Sequence, residues 1–238
     1  MPTIDSITAA LKAKGSEKTR ALYARHGIPP DRAWGVSVAD IKLVAKTIKG
    51  QQSLALALYD TGMMEAMYLA GIVADGAQMS PQQLQKWAEG AIGIPMVAEY
   101  TVPWVAVDHP AASALAAKWI ESKHEQVACA GWCTFSGLVA TQPDSALDLA
   151  QIEALFRSIP ARIGSAKNRV RYTMNNFVIA AGTYLRPLLA AAKRTAKQLG
   201  AVSVDMGDTA CSIPLATGAI AKAEAAGRIG RKKKTIRC

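Results

Sequence analysis

The chain has 238 residues, with 28 Lys+Arg against 18 Asp+Glu and a formal net charge of +10. Half of it is hydrophobic and 19% is charged, which excludes a globally disordered polymer; the length is enough to bury a sizeable core in one or two domains. Only 6% is aromatic whereas Ala supplies 45 residues; β-sandwiches favour branched and aromatic side chains, so the composition leans strongly helical.

In chain order, the spacing of apolar residues predicts helices over 4–14 and 17–26, then a loop at the Pro pair of Gly27-Ile-Pro-Pro-Asp. Ser37-Val-Ala-Asp40 has the form of a capping start, followed by Ile41, Val44, Ala45 and Ile48 at helical spacing and stopped by Gly50. Helices over 54–59 and 65–74 come next, and Ser80-Pro81 opens another with Pro at its first position. Pro95 is expected to open a helix that runs through Trp104 towards Asp108, where His109-Pro110 breaks the chain. Further helices are predicted over 111–120, 126–140, 144–157, 168–185, 188–199 and 215–226, with a structured loop between Gly200 and Pro214.

Three small-residue strings recur: Tyr68-Leu-Ala-Gly71, Cys129-Ala-Gly-Trp132 and Ile179-Ala-Ala-Gly182. Their spacing is irregular, so degenerate helical pairs stacked as a solenoid fit better than a strict repeat, with an irregular bundle as the alternative. The uncharged run 126–143 contains Gln, Thr and Ser and reads as a buried helix, not a bilayer span. No secretory signal is read at the amino terminus and four Cys are too few for a disulfide scaffold, so a reducing, cytoplasmic compartment is expected.

The charge is uneven. Residues 228–238 hold six bases and no acid, which leaves 22 bases against 18 acids in residues 1–227. Residues 1–227 are therefore read as one helical domain and 228–238 as a basic tail, poorly ordered without a partner because it carries no apolar pattern. An excess of this sign favours a polyanionic partner.

No glycine-rich phosphate loop, His-Glu-x-x-His or Gly-x-Ser-x-Gly occurs. Cys129 and Cys133 stand four apart without further metal-ligand spacing, so no metal or cofactor is expected. Two surfaces hold candidate chemistry. Trp104 and Asp108, four apart, would share a helix face and offer an aromatic plane beside a carboxylate, or else be a core Trp and a helix-ending acid. Lys167, Arg169 and Arg171, with Tyr172 and Asn175 along the same helix, would bind phosphates or simply form a solvated basic helix end. Arg231, Lys232, Lys233 and Lys234 would add salt-sensitive phosphate contacts.

Several strings together resemble one family. Trp34-Gly-Val-Ser-Val-Ala-Asp40, Trp104-x-x-x-Asp108, residues 168–182, Val204-Asp-Met-Gly-Asp-Thr-Ala-Cys211 and Lys232-Lys-Lys-Thr-Ile-Arg-Cys238 are similar to stretches of the bacterial AlkD-like DNA alkylation repair proteins, of the HEAT-like repeat DNA glycosylase superfamily. The resemblance implies an all-α, right-handed superhelical solenoid of HEAT-like repeats, with a basic concave face that cradles duplex DNA carrying alkylated or other damage. It also implies a monomer, associated with the nucleoid when bound to DNA, that hydrolyses the N-glycosidic bond of N3- and N7-alkylated purines without metal or cofactor. Asp108 would then stabilise the sugar cation and position water, with Trp104 against the deoxyribose. Tyr23 and Trp132 match aromatic positions of the family on the DNA side.

The sequence departs from the pattern at two places. Trp132 is followed by Cys133-Thr-Phe135 where active members carry an Arg three residues on, and Asn175-Asn-Phe177 replaces a Trp-x-Leu-Arg string. Two other readings therefore stand beside excision: a non-catalytic HEAT-repeat binder of damaged or branched DNA, and a scaffold for protein partners.

Overall fold

The structure, a computed structural model, describes residues 2–237. Its α-helices are Ile4–Lys12 (α1), Glu17–Arg25 (α2), Val38–Thr47 (α3), Gln52–Asp60 (α4), Met64–Val73 (α5), Pro81–Gly90 (α6), Val102–Ala106 (α7), Ala112–Trp119 (α8), Glu125–Thr141 (α9), Leu149–Arg162 (α10), Asn168–Tyr184 (α11), Leu189–Leu199 (α12) and Ala216–Ala225 (α13). Among the described residues the β-type pairing is one isolated antiparallel bridge, Gly15 with Val36. The all-α expectation holds.

Local chemistry starts many of these helices. Thr3 and Ser80 form reciprocal capping boxes, while Ser16, Ser37 and Asp148 accept hydrogen bonds from exposed first-turn amides. The Gly-Val-Ser string before α3 has a structural reason. Gly35 adopts φ +82°, and a Cβ there would stand 2.3 Å from the Ser16 carbonyl oxygen. The fully buried carboxylate of Glu65 accepts hydrogen bonds from the amides of Trp34, Gly35 and Val36, which pins this loop to α5.

Helices pack onto their chain neighbours and one layer further: α4 on α5, α3 on α5, α8 on α9, α9 on α11, and α11 on α12 and α13. Two apolar cores result. One runs from Ile7 to Ala130 and the other from Val107 to Ile220, and they abut along α7–α9. The three small-residue strings mark close helix crossings. A Cβ on Gly71 would meet Thr101 at 2.6 Å, on Gly131 the Ile120 amide at 2.7 Å, and on Gly182 the Ile220 side chain at 2.7 Å. Glycine, like the abundant alanine, is what lets these layers close.

Three expectations need correction. The helix expected to open at Pro95 and run through Trp104 towards Asp108 does form, but it carries a π turn at Val97–Thr101 and ends with α7 at Ala106, so Asp108 lies in the turn beyond it. Pro103 has no N–H to give the Glu99 carbonyl and its ring would crowd that carbonyl, so the chain widens by one residue there. The helix expected over 144–157 begins instead at Leu149, because Asp148 is the residue whose side chain caps it, and it continues past Pro160 to Arg162. Pro160 leaves the Phe156 carbonyl without its helical donor, and the buried Thr195 hydroxyl donates to that oxygen at 3.5 Å.

Finally, the basic tail is ordered to Arg237. Its Gly230 amide donates to Thr183 O and its Lys233 amide to Ala140 O, Ile229 is buried, and Ile236 packs against both cores. Two isolated isoleucines and a few backbone bonds anchor a segment whose charge pattern suggested a free tail.

Candidate nucleic-acid interface

The π turn decides what the site contains. By widening the helix before Pro103 it turns Glu99 inward and leaves Tyr100 exposed at the surface. Glu99, on one side, meets Arg169 from the first turn of α11: Nε donates to Oε1 at 2.8 Å and Nη2 to Oε2 at 2.6 Å, a bidentate pair. The guanidinium also lies 4.6 Å from the centre of the Tyr172 ring and donates to the Met206 sulfur at 3.3 Å. Burial pushes the Glu99 carboxyl above 4.5; the Arg169 pair opposes that shift and the charge of Glu125 adds to it.

Around this pair the surface is hollow. One cavity of about 530 Å³ lies between the end of α2, the π turn, the start of α11 and the loop around Met206. A second, of about 400 Å³, lies between Trp104, α9, the middle of α11 and the carboxy-terminal segment. Both include Glu99, Tyr100 and Tyr172 in their walls, so together they form one long depression.

The sequence-predicted residues fall into three groups. In the depression, Trp104 lines the second cavity but is only 2% exposed, packed edge-on against Tyr68 at 4.9 Å and near Tyr100 at 6.2 Å. Tyr23 and Arg169 line the first cavity, and the Tyr23 hydroxyl donates to Val36 O at 2.6 Å. Lys233 lines the second, its ammonium 5.5 Å from the centre of the Tyr184 ring.

A second group is structural in its contacts. Trp132 is fully buried against Phe177 at 5.4 Å, with no solvent-facing edge. Asn175 is fully buried and donates to Pro214 O at 2.9 Å, fastening the end of the loop between α12 and α13. Lys232 donates to Val139 O and pairs with Asp144 at 2.7 Å, and Arg171 bonds Asn168 within its own helix. The third group, Lys167, Arg231 and Lys234, is carried by exposed or half-buried chain, with the Lys167 ammonium on Lys123 O at 2.7 Å.

Asp108 stands apart from Trp104. It lines a different, smaller cavity of about 260 Å³ behind α7, and its carboxylate is held at 2.5 Å by Arg237. That same guanidinium donates to the carbonyls of Ile72 and Ala74 at the end of α5. Sequence reasoning missed Glu99 and Arg237. Neither sits in a spacing pattern; each acquires its partner only when distant chain folds back, across 70 residues for Glu99 and 129 for Arg237.

A family model described as DNA alkylation repair enzyme matches residues 7–203. The chain belongs to that family. An uncharacterised protein of Listeria innocua is 27% identical over 226 residues, covering 94% of this chain and 98% of the relative. One of Listeria monocytogenes is 26% identical over the same length and shares of the two chains. A solved structure described as a new family of proteins related to the HEAT-like repeat DNA glycosylases, with affinity for branched DNA structures, superposes with a TM-score of 0.89. It has 32% identity over 100% of both chains. The HEAT-like fold of this DNA alkylation repair family member is thereby shown, in agreement with the layered packing above.

Proposed function

We propose that this protein binds branched DNA along the depression between α2 and its carboxy-terminal segment, and that binding, not base excision, is its activity. The observation that carries this reading is the Arg237–Asp108 ion pair. A carboxylate that stabilises a sugar cation acts through its charge, and a guanidinium at 2.5 Å competes for that charge. The contacts of Trp104 with Tyr68 and Tyr100, and the absence of an Arg after Trp132, weigh the same way. The neighbour related to the HEAT-like glycosylases and described as having affinity for branched DNA supports the ligand. At a branch point phosphates of several strands converge; Lys233 lines the depression, and Arg231, Lys234 and Lys167 are exposed cations elsewhere on the surface.

The test is affinity for a four-way junction against a duplex of equal length at one salt concentration. Preference for the junction is expected, with no release of methylated purines from alkylated duplex. Equal affinity for the two overturns the reading.

A second reading has one specific observation in its favour. Asp108 stays 43% exposed on its side chain, and its guanidinium partner is one that a DNA phosphate could draw away. On that reading the protein hydrolyses the N-glycosidic bond of alkylpurines with Asp108 facing the sugar. Base release by the parent that Asp108→Asn abolishes is the result that would establish it.

A further inference from the structure

The larger cavity is the part of the depression that phosphate binding does not explain. It lies to the side of Trp104 and does not include Asp108. Its volume of about 530 Å³ falls inside the range of about 300–1,000 Å³ typical of small-ligand sites. Resting on the branched-DNA reading, we infer that it receives an unstacked nucleobase of the bound DNA.

The walls carry that assignment. Planar groups dominate one side: the Tyr172 ring with the Arg169 guanidinium over it, and Tyr100 beside them. A flat, amphipathic π surface backed by a fixed cation is what a base stacks on, whatever its sequence. Part of the lining is apolar. Of the five large hydrophobic side chains exposed among the described residues, Leu22 at 42% and Tyr100 at 45% both border this cavity. Exposed apolar side chains gathered at a concave site mark a surface that is covered in use.

The cavity is also held open before any ligand arrives. Asn168 donates to Asp205 O at 2.6 Å and accepts from the Asp205 amide at 2.8 Å, which fixes the loop that forms its far wall. Arg169 cannot swing into the space, because Glu99 holds two of its nitrogens and Met206 the third. A preformed wall spares the ordering cost that a flexible one would incur on binding.

Branched DNA supplies the occupant without further work. Bases at a branch point are less well stacked than in a duplex, so extruding one costs less there than elsewhere. Its backbone then continues past Tyr172 towards Lys233, which lines the adjoining cavity. Readout by stacking implies tolerance of base identity, with purines favoured by their larger faces.

The test compares three-way junctions carrying one unpaired nucleotide at the branch with the same junctions carrying an abasic spacer there. The base-containing DNA should bind at least about five-fold more tightly, the ratio equivalent to about 1 kcal/mol of base–aromatic stacking. Tyr100→Ala should reduce that ratio to near one, and Tyr100→Phe should restore it. A measurement on the parent chain guards against a misfolded variant. Cys211 is exposed and lines the cavity, so its alkylation by iodoacetamide, mapped by peptide mass, should slow with the base-containing junction and not with the abasic one.

Junction preference over duplex with no abasic effect and no protection of Cys211 overturns this inference while leaving the binding proposal standing. Loss of the junction preference itself overturns both. Protection of Cys211 by a free nucleoside monophosphate, without any abasic effect on DNA binding, overturns the assignment to a DNA base in favour of a soluble nucleotide.

Discussion

Removing one half of the Glu99–Arg169 pair should be the most informative single change in the depression. In Arg169→Met a carboxylate whose side chain is 4% exposed loses both of its guanidinium hydrogen bonds. Stranding one member of a buried pair costs about 3–5 kcal/mol, and the 23% exposure of the Arg169 side chain places this case near the low end. At about 2–4 °C per kcal/mol for a chain of this size, Tm should fall by about 6–12 °C at pH 7.5.

The pH dependence has a definite sign. Burial already holds the folded-state pKa of Glu99 above 4.5, and without Arg169 it rises further, with Glu125 on the same side of the balance. The folded state then binds a proton that the unfolded state has released, so stability is fully present below about 4.5 and is lost as pH rises through the folded value. Tyr100, Cys129 and Cys133, which also face the pair, are pushed up by burial and are neutral throughout pH 5–7.5. Urea denaturation of the variant should therefore recover part of its lost stability between pH 7.5 and pH 5, and Glu99→Gln placed on top of Arg169→Met should recover much of it at pH 7.5. A loss below about 1 kcal/mol with no pH dependence would refute the reasoning.

Other changes should read out the remaining architecture. Gly76→Ala puts a Cβ 1.8 Å from Val105 O, backbone against backbone, so α7 must move; a cost towards the upper end of about 1–3 kcal/mol is expected, and an unchanged Tm would contradict it. Arg237→Ala removes the donors to Ile72 O and Ala74 O and should cost about 1–2 kcal/mol in thermal unfolding, even though the residue lies next to the chain end. The Tyr23 hydroxyl, pushed up to about 12 by burial and by Glu65, should stay protonated in a spectrophotometric titration of the native protein to pH 11. Its contribution to stability should be lost as pH rises from about 10, where the unfolded tyrosine ionises. Cys129, whose thiol burial pushes up, should resist alkylation at pH 8 under conditions that modify Cys211.

Much of the helical architecture could be read from apolar spacing and from start signals such as Ser37 and Ser80-Pro81, because those act within one turn of chain. The small-residue strings were visible as repeats, but their meaning as close crossings depends on which helix sits opposite. Trp104 and Asp108 were singled out on a four-residue helical spacing, but α7 ends at Ala106 and Asp108 lies in the turn after it, where that spacing no longer holds. Trp132 is equally legible as an aromatic; that it is buried follows from Phe177, 45 positions later, lying against it. The ordered tail depends on Ile229 and Ile236, two apolar residues without a period, which no pattern search weights.

Stacked helical layers ordinarily share stability only with the layer above and below, so the ends of such a stack fray first. Here the last residues of the chain run back from Thr183 to Ala140 and on to the end of α5, where Arg237 bonds the Ile72 carbonyl across 165 residues of sequence. A spring has become a clasped ring. Amide exchange at the end of α5 and around α13 should therefore rise together when the clasp opens, although α5 and α13 belong to different layers.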